Sequence, residues 1–202
     1  KGEQADLIWQ QLFWNRSPVS EACRGVLTTL ARLGLDPNES SLDRYRRWFA
    51  AQDPDRHIDR VMELAGIERI TMTNNVFDDN ERRRWLDGSA GQDRRFAAVL
   101  RIDRLLRDWP GAAARLAAWG YEVDADLSPR TLAGVRRFLA EWIDRLAAVY
   151  CAASLPPAFC YAGHDDPSPS AVLLRKVLLP LLHDRGLPLA MMIGCNAAVN
   201  PA

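Results

Sequence analysis

The stretch Arg94-Arg-Phe-Ala-Ala-Val-Leu-Arg-Ile-Asp103 decides the fold of this chain. Its apolar part, Phe96 to Leu100, predicts a buried β-strand, and Arg101 and Asp103 follow where a helix can begin. Three other short apolar runs also end in polar residues before a helical pattern: Thr73-Asn74-Asn75, Gly163-His164-Asp165-Asp166 and Gly194-Cys195-Asn196. Polar groups at the carboxyl ends of successive strands are typical of the ligand-binding rim of a parallel barrel.

The remainder of the chain divides into two parts with different patterns. Residues 1–66 carry only helical periodicity, and we interpret them as a helical insertion or subdomain. In residues 67–202, predicted strands at 69–72, 96–100, 159–162 and 189–193 alternate with helical segments. Strands that are joined through helices and never by tight hairpins pair in parallel. The predicted fold class is therefore α/β and helix-rich, either an open sheet or about four βα units of a partial (β/α)8 TIM-type barrel.

Composition excludes several classes of function. The 26 Lys and Arg residues balance 26 Asp and Glu residues, so the chain lacks the basic surplus of a nucleic-acid or membrane-surface binder. No apolar run reaches the roughly 18 residues that span a bilayer, and no GxGxxG or P-loop motif predicts a nucleotide cofactor. The 4 cysteines form no CxxC pair, which favours free thiols in a reducing compartment, the cytoplasm. Small-molecule chemistry is the function class that remains.

The two ends of the sequence lead us to expect a fragment of a larger protein. The chain begins with Lys1 rather than Met. Near its other end, Pro188 to Gly194 reads as a buried strand without the helix that usually follows one.

Arg101 and Asp103 are the first candidate site residues. In an extended segment, residues two apart point to the same side, so Arg101 can bind a ligand carboxylate while Asp103 orients the guanidinium or a hydroxyl. The alternative interpretation is an Arg–Asp pair that closes the strand-to-helix turn, with Asp103 as the N-cap.

His164, Asn74 and Asn75 are the other candidates. His164 precedes Asp165 and Asp166 and can act as a general acid or base, a metal ligand or a hydrogen-bonding group, or it can be a solvated turn residue. Asn74 and Asn75 can donate hydrogen bonds to a sugar-like ligand, although Asn is also common in tight turns. One histidine beside two acids is a poor metal site, so we assign no metal ligand in this chain.

Three segments together resemble the successive strand motifs of the uronate (glucuronate) isomerases, in order and in spacing: Ile70-Thr-Met-Thr-Asn-Asn-Val-Phe-Asp-Asp79, Phe96-Ala-Ala-Val-Leu-Arg-Ile-Asp103 and Ala190-Met-Met-Ile-Gly194. Those enzymes have a (β/α)8 barrel of the metal-dependent-hydrolase (amidohydrolase-like) superfamily. The resemblance implies an aldose–ketose interconversion of a hexuronate, of the glucuronate–fructuronate type, in carbohydrate catabolism. The family's Phe-Arg-Pro-Asp motif corresponds to Leu100-Arg-Ile-Asp103, which implies that Arg101 contacts the substrate.

The chain also departs from the family pattern. The family usually has Thr-Thr-Asp-Asp-Pro where this chain has Met72-Thr-Asn-Asn-Val76, and a His where this chain has Met192. These departures imply an altered substrate, altered chemistry or a retired site. The resemblance places the family's metal ligands outside this chain, so a divalent metal such as zinc would be held by residues beyond it.

The sequence therefore predicts a uronate isomerase-like enzyme acting on a small sugar acid, assisted by a metal or by side chains. The alternatives are a hydrolase that uses metal-bound water on the same barrel, and a catalytically retired binding or interaction protein. The predicted partner is the remainder of the barrel or a second copy of the chain in a homo-oligomer.

Overall fold

The computed structural model describes residues 2–16, 19–91, 93–161, 163 and 165–194. The chain divides into two compact units, Lys1–Glu68 and Arg69–Ala202. The predicted interpretation of the first unit as an insertion stays a prediction.

The described part of the first unit is helical. Its helices are α1 (Gly2–Ile8), which continues as a π-helical segment (Trp9–Trp14), α2 (Glu21–Arg32), α3 (Leu42–Ala50) and α4 (Pro54–Ala65). Side chains cap the amino ends of three of them: Ser20 accepts from the Cys23 amide, Ser41 from Asp43 and Asp53 from Arg56. Such caps satisfy amides that lack an intrahelical partner, so these helix starts are set locally by the sequence.

An aromatic cluster forms the core of the first unit. Trp9, Leu30, Leu35 and Tyr45 are buried. The Trp9 ring stacks on Phe13 with a centroid distance of 4.4 Å and meets Tyr45 edge to face at 5.6 Å. The Trp9 indole nitrogen donates to the Glu39 carbonyl over 3.1 Å, which satisfies its polar atom inside the cluster.

The second unit alternates strands and helices. Its elements in chain order are β1 (Ile70–Asn74), α5 (Asp79–Leu86), β2 (Phe96–Arg101), α6 (Asp103–Arg107), α7 (Trp109–Ala118), α8 (Pro129–Leu146), β3 (Cys151–Leu155), α9 (Pro169–Leu173), a π-helical segment (Leu174–Leu178), α10 (Leu179–Asp184) and β4 (Leu189–Ile193). The described sheet has 4 strands in the order β1-β2-β3-β4, and every neighbouring pair is parallel. The predicted α/β class with parallel strands is confirmed.

The prediction for the third strand is wrong. Residues 159–161 form no strand, and Ala162 lies outside the described residues. The third strand is Cys151-Ala-Ala-Ser-Leu155, whose small residues carry no strong local strand signal. Hydrogen bonds to the neighbouring segments make residues 151–155 a strand: the Leu100 amide donates to the Tyr150 carbonyl, and the Cys151 amide donates to the Pro188 carbonyl. The third strand therefore ends at Leu155, well before Gly163.

The long helix α8 ends at Leu146. Ala147 follows it in the left-handed conformation with φ 46°, and its amide donates to the Asp144 and Ile143 carbonyls. This turn releases the chain into β3 after a short connection.

Helices cover one face of the sheet. Leu100, Cys151, Ala153 and Leu155 belong to the main core, together with Phe138, Leu139 and Trp142 of α8. Side chains alternate between the two faces of a strand, so Arg101 and Ser154 belong to the opposite face. Among the described residues, no helix combines the length and apolar composition needed to cross a bilayer.

Candidate active site at the carboxyl ends of the strands

Parallel pairing brings the carboxyl ends of the strands to one edge of the sheet. Arg101 is the last residue of β2 and pairs in register with Ala152 of β3, while Thr73 of β1 pairs with Val99. Ser154 pairs with Met192 of β4. Because paired residues in a parallel sheet share a face, Arg101, Ser154 and Met192 lie on the face away from the helices.

Arg101 and Asp103 form a two-pronged ion pair. The Arg101 Nε donates to Asp103 Oδ2 over 2.9 Å, and its Nη2 donates to Asp103 Oδ1 over 2.6 Å. Both interpretations of this stretch predict contact between Arg101 and Asp103, and that contact is observed. The N-cap interpretation is wrong, because Asp103 is the first residue of α6 and the cap position, Ile102, makes no side-chain cap bond. Asp103 holds the guanidinium in one orientation at the rim.

Ser154 of β3 joins this ion pair from the neighbouring strand. Its backbone amide donates to Asp103 Oδ1 over 2.8 Å, and its Oγ lies 3.4 Å from Arg101 Nη2. Both oxygens of Asp103 are thus engaged. Two of the Arg101 nitrogens are engaged as well, whereas Nη1 donates to no described residue.

The charges of this pair stabilise each other. Burial disfavours the Asp103 carboxylate, but the hydrogen bonds from Arg101 and from the Ser154 amide outweigh it and lower the pKa of Asp103. The hydrogen bond to Asp103 raises the pKa of Arg101, with a smaller contribution from the charge of Glu81. The guanidinium is therefore a permanent cation at the end of β2.

The end of β1 is built around Glu81 of α5. The Asn74 Nδ2 donates to Glu81 Oε1 over 2.8 Å, and the Asn75 backbone amide donates to Glu81 Oε2 over 3.0 Å. The Asn75 side-chain oxygen accepts from the Phe77 amide over 3.2 Å, which closes an Asx turn. Positive φ, common for Asn in tight turns, does not occur at Asn75.

A surface cavity of about 440 Å³ brings three of the predicted site residues together: Arg101, Asp103 and Asn75. Phe77, Arg104, Arg107 and Asp108 complete its lining. Asn74 does not line this cavity; it is largely buried, contacts Glu81 and, with Glu81, lines a different cavity of about 710 Å³. His164 lies outside the described residues, so its predicted role stays a prediction.

Two residues that contact the predicted site residues, Ser154 and Glu81, are not indicated by the sequence pattern. Ser154 was missed because its strand was assigned to a later segment. Glu81 reads as one more acid on a charged helix, and the available signal was its position three residues after the cap Asp78, facing back toward β1. Within the described residues, no group of three or more His, Cys, Asp or Glu residues can hold a metal ion.

Comparison with known proteins identifies solved structures that are similar to this chain. No protein-family model matches it, and neither does any curated protein. Among solved structures, it is similar to a uronate isomerase from Bacillus halodurans, with 46% sequence identity and a TM-score of 0.86. The match covers 98% of this chain and 46% of that chain, so the chain spans about half the length of this relative.

A glucuronate isomerase from Caulobacter crescentus is also similar, with 16% identity and a TM-score of 0.44, over 67% of this chain and 32% of that chain. This second likeness is too distant to carry an argument. The first is close, and it spans both the helical unit and the sheet. On that similarity, the chain belongs to the uronate isomerase family.

Proposed function

We propose that the protein containing this chain interconverts a hexuronate aldose and its ketose, of the glucuronate–fructuronate type. The chain supplies about half of a (β/α)8 barrel, including the group that binds the substrate carboxylate. Family membership supports this proposal, since the chain is 46% identical to a uronate isomerase. The uninterrupted strand order β1-β2-β3-β4 also supports it, because open doubly wound sheets reverse their order at a switch point and barrels do not.

One observation carries the proposal: Arg101 is fixed but only partly used. Asp103 accepts from Nε and from one N–H of Nη2, and Nη1 has no described partner. A guanidinium carries five N–H donors in a plane. The second N–H of Nη2 makes only a long contact of 3.4 Å with Ser154 Oγ. With that contact replaced by a ligand, the edge formed by Nη1 and Nη2 can bind the two oxygens of a uronate carboxylate, while Asp103 holds the adjacent edge formed by Nε and Nη2.

The surroundings of Arg101 suit a sugar acid. The cavity of about 440 Å³ lies within the range of small-molecule sites, roughly 300–1,000 Å³. Asn75 lines it, and its Nδ2 donates to no described residue, so this amide can bind a hydroxyl or carboxylate oxygen of the sugar. We assign Arg101 and Asn75 to substrate binding and Asp103 to orienting Arg101, and we assign Asn74 to supporting Asn75 through their shared acceptor, Glu81.

The described residues of the rim do not fit a metal ion by themselves. The Asp103 oxygens already accept hydrogen bonds from Arg101 and Ser154. Asp108, the other carboxylate that lines the cavity, accepts from the Gly111 amide, and the remaining polar side chains there are three guanidinium ions and the Asn75 amide. A divalent metal such as zinc, as the family resemblance implies, would be bound by residues outside this chain. Binding of the carboxylate by Arg101 leaves C1 and C2 at the far end of the sugar, so the proton transfer between them belongs to other groups, among which we place His164.

The surrounding assignments follow from this proposal. The partner that completes the sheet is the remainder of the same barrel, beside β1 and β4, the outer strands of the described sheet. We place the protein in the cytoplasm, because Cys23, Cys151 and Cys160 are free thiols. A homo-oligomer stays a prediction. No observation on the described residues favours the hydrolase or the retired interaction protein.

The test is turnover and binding of glucuronate and galacturonate by the full-length protein. We expect ketose formation, and R101M should lower uronate affinity about 100-fold through the loss of charge-assisted hydrogen bonds. R101K keeps the positive charge but lacks the planar pair of donors. Its uronate affinity should therefore lie between that of R101M and that of the wild-type protein. No turnover of either sugar with added zinc or manganese would contradict the proposal.

Arg136→Met is the matched control. Arg136 pairs with Asp184 on the surface over 2.7 Å and does not line the cavity. Its replacement should leave uronate affinity within about twofold, because an exposed ion pair contributes little. An equal loss of affinity in R101M and R136M would remove Arg101 from the site.

A further inference from the structure

We infer that Glu81 is a positioning residue for the sugar-binding site: it holds the turn after β1 so that Asn75 presents its amide beside Arg101. The inference rests on the proposed function, which it deepens by adding a group that does not touch the substrate. It is carried by the contacts of Glu81, by the burial of Asn74 and by the cavity that Asn75 and Arg101 share.

Glu81 uses both carboxylate oxygens on two successive residues of the β1 end. Oε1 accepts from the Asn74 side chain over 2.8 Å, and Oε2 accepts from the Asn75 backbone over 3.0 Å. Glu81 is itself held in the first turn of α5, because Asp78 accepts from its amide over 2.9 Å. The carboxylate therefore links the helix to the strand end through hydrogen bonds rather than through exposed charge.

Asn75 is fixed from its other side by the core. Its side-chain oxygen accepts from the Phe77 amide over 3.2 Å. Phe77 is buried, and its ring lies 5.4 Å from that of Trp119 and 5.6 Å from that of Phe138. With the backbone held by Glu81 and the side-chain oxygen held by Phe77, the Nδ2 group of Asn75 is the atom left for a ligand.

Position 74 has to donate a hydrogen bond to Glu81. The Asn74 side chain is buried, with 8% exposure, and its oxygen has no hydrogen-bond partner among the described residues. A carboxylate at position 74 would face the Glu81 carboxylate at hydrogen-bonding distance, where like charges repel. Position 74 and position 81 are thus coupled, because an ionised carboxylate at one position disfavours an ionised carboxylate at the other.

This coupling provides a test by exchange. N74D places a second carboxylate against that of Glu81. E81Q leaves one acceptor oxygen for two donors, the Asn74 side chain and the Asn75 amide. The double variant N74D/E81Q restores both hydrogen bonds, because the introduced glutamine accepts from the Asn75 amide and donates to the introduced aspartate. It also restores the net charge near Arg101, so electrostatic attraction of the substrate is matched to that of the wild-type protein.

Glucuronate affinity of the full-length protein, measured by titration calorimetry, is the first readout. We expect N74D to bind about 10-fold more weakly, E81Q about 3-fold to 10-fold more weakly, and the double variant within about 3-fold of wild type. In an N75A background, E81Q should have no further effect, which a general loss of stability would not produce. The inference would be overturned if the loss of affinity in the double variant equalled the product of the two single losses. Unchanged affinity in both single variants would also overturn it.

Hydrogen exchange of the Asn75 amide is the second readout and needs no ligand. We expect faster exchange in E81Q and recovery in N74D/E81Q, and an unchanged rate in E81Q would overturn the positioning role. If the wild-type protein binds neither glucuronate nor galacturonate, the proposed function fails. The exchange rates then still decide whether Glu81 holds the turn.

Discussion

At the ends of both β1 and β2, a carboxylate accepts hydrogen bonds from a backbone amide and from a side chain, but the charge of that side chain differs. At β2, the Asp103 carboxylate accepts from a backbone amide, that of Ser154, and from the side chain of Arg101. At β1, the Glu81 carboxylate accepts from the Asn75 backbone amide and from the Asn74 side chain. Among the described residues, a guanidinium neutralises the carboxylate at β2, whereas the carboxylate at β1 accepts hydrogen bonds only from neutral amides.

This difference separates two tasks. A paired guanidinium keeps donors for an anionic ligand, so the end of β2 is suited to bind a carboxylate. A carboxylate that receives only amides has no cation to offer, so the end of β1 is suited to fix the backbone. The same polar pattern after a strand can therefore bind a ligand or fix the backbone, depending on whether the partner of the carboxylate carries a positive charge.

Removal of the Asp103 carboxylate should have the largest effect. D103A leaves the Arg101 charge unpaired and the Ser154 amide unsatisfied at a partly buried site. We expect the free energy of unfolding to fall by about 2–4 kcal/mol, since breaking such a pair costs more than the pair contributes. Urea unfolding of the full-length protein measures this loss.

Asp108→Ala is the control for that change. Asp108 lines the same cavity but caps α7 by accepting from the Gly111 amide over 3.1 Å. Loss of a cap costs about 1 kcal/mol. If D103A destabilises the protein no more than D108A does, the ion pair at β2 is not the stronger of the two polar contacts.

The lowered pKa of Asp103 predicts a dependence of stability on pH. A carboxyl whose pKa is lower in the folded state than in the unfolded state, where it is about 3.9, stabilises the protein fully above that unfolded value. This stability is lost as the pH falls through the folded pKa. D103N removes the titrating group, so its unfolding free energy should decline less steeply than that of wild type below about pH 4. Identical slopes would contradict the assignment.

The N74D variant should respond to pH in the opposite direction. The introduced carboxyl faces Glu81, and their repulsion raises the pKa of one of them in the folded state. We expect a loss of about 1–2 kcal/mol at pH 7 that diminishes as the pH falls, because one protonated carboxyl can then donate to the other. Thermal unfolding at pH 7 and pH 4 tests this, with N74D/E81Q as the control without the effect. A constant loss across this range would show that the two positions are not coupled by charge.

The smallest effect is expected for S154A. This change keeps the backbone amide that donates to Asp103 and removes only the Oγ atom, 3.4 Å from Arg101 Nη2. We expect a change below about 0.5 kcal/mol in unfolding free energy and uronate affinity within about threefold of wild type. A loss of affinity above tenfold would show that the hydroxyl, rather than the amide, connects β3 to the site.

Local contacts at the rim could be predicted from the sequence. Arg101 and Asp103 are two residues apart, and their ion pair follows from the strand-end geometry of that stretch. The caps Ser20, Ser41 and Ser128 likewise act within three residues, so their patterns predict the helix starts. The contacts between different elements could not be predicted in this way. Ser154 meets Asp103 across a separation of 51 residues, and only the pairing of β3 with β2 brings them together.

The sequence by itself determined the alternation of strands and helices, the apolar run at β2 and the polar residues at its end, because these depend on periodicity and on neighbouring side chains. The tertiary structure alone decided that Cys151–Leu155 is the third strand, since this segment of small residues has a weak local preference and gains its hydrogen bonds from β2 and β4. It also decided that Asn75 and Arg101 share one cavity while Asn74 lines another. Such placements depend on parallel pairing between distant segments, which no local pattern encodes.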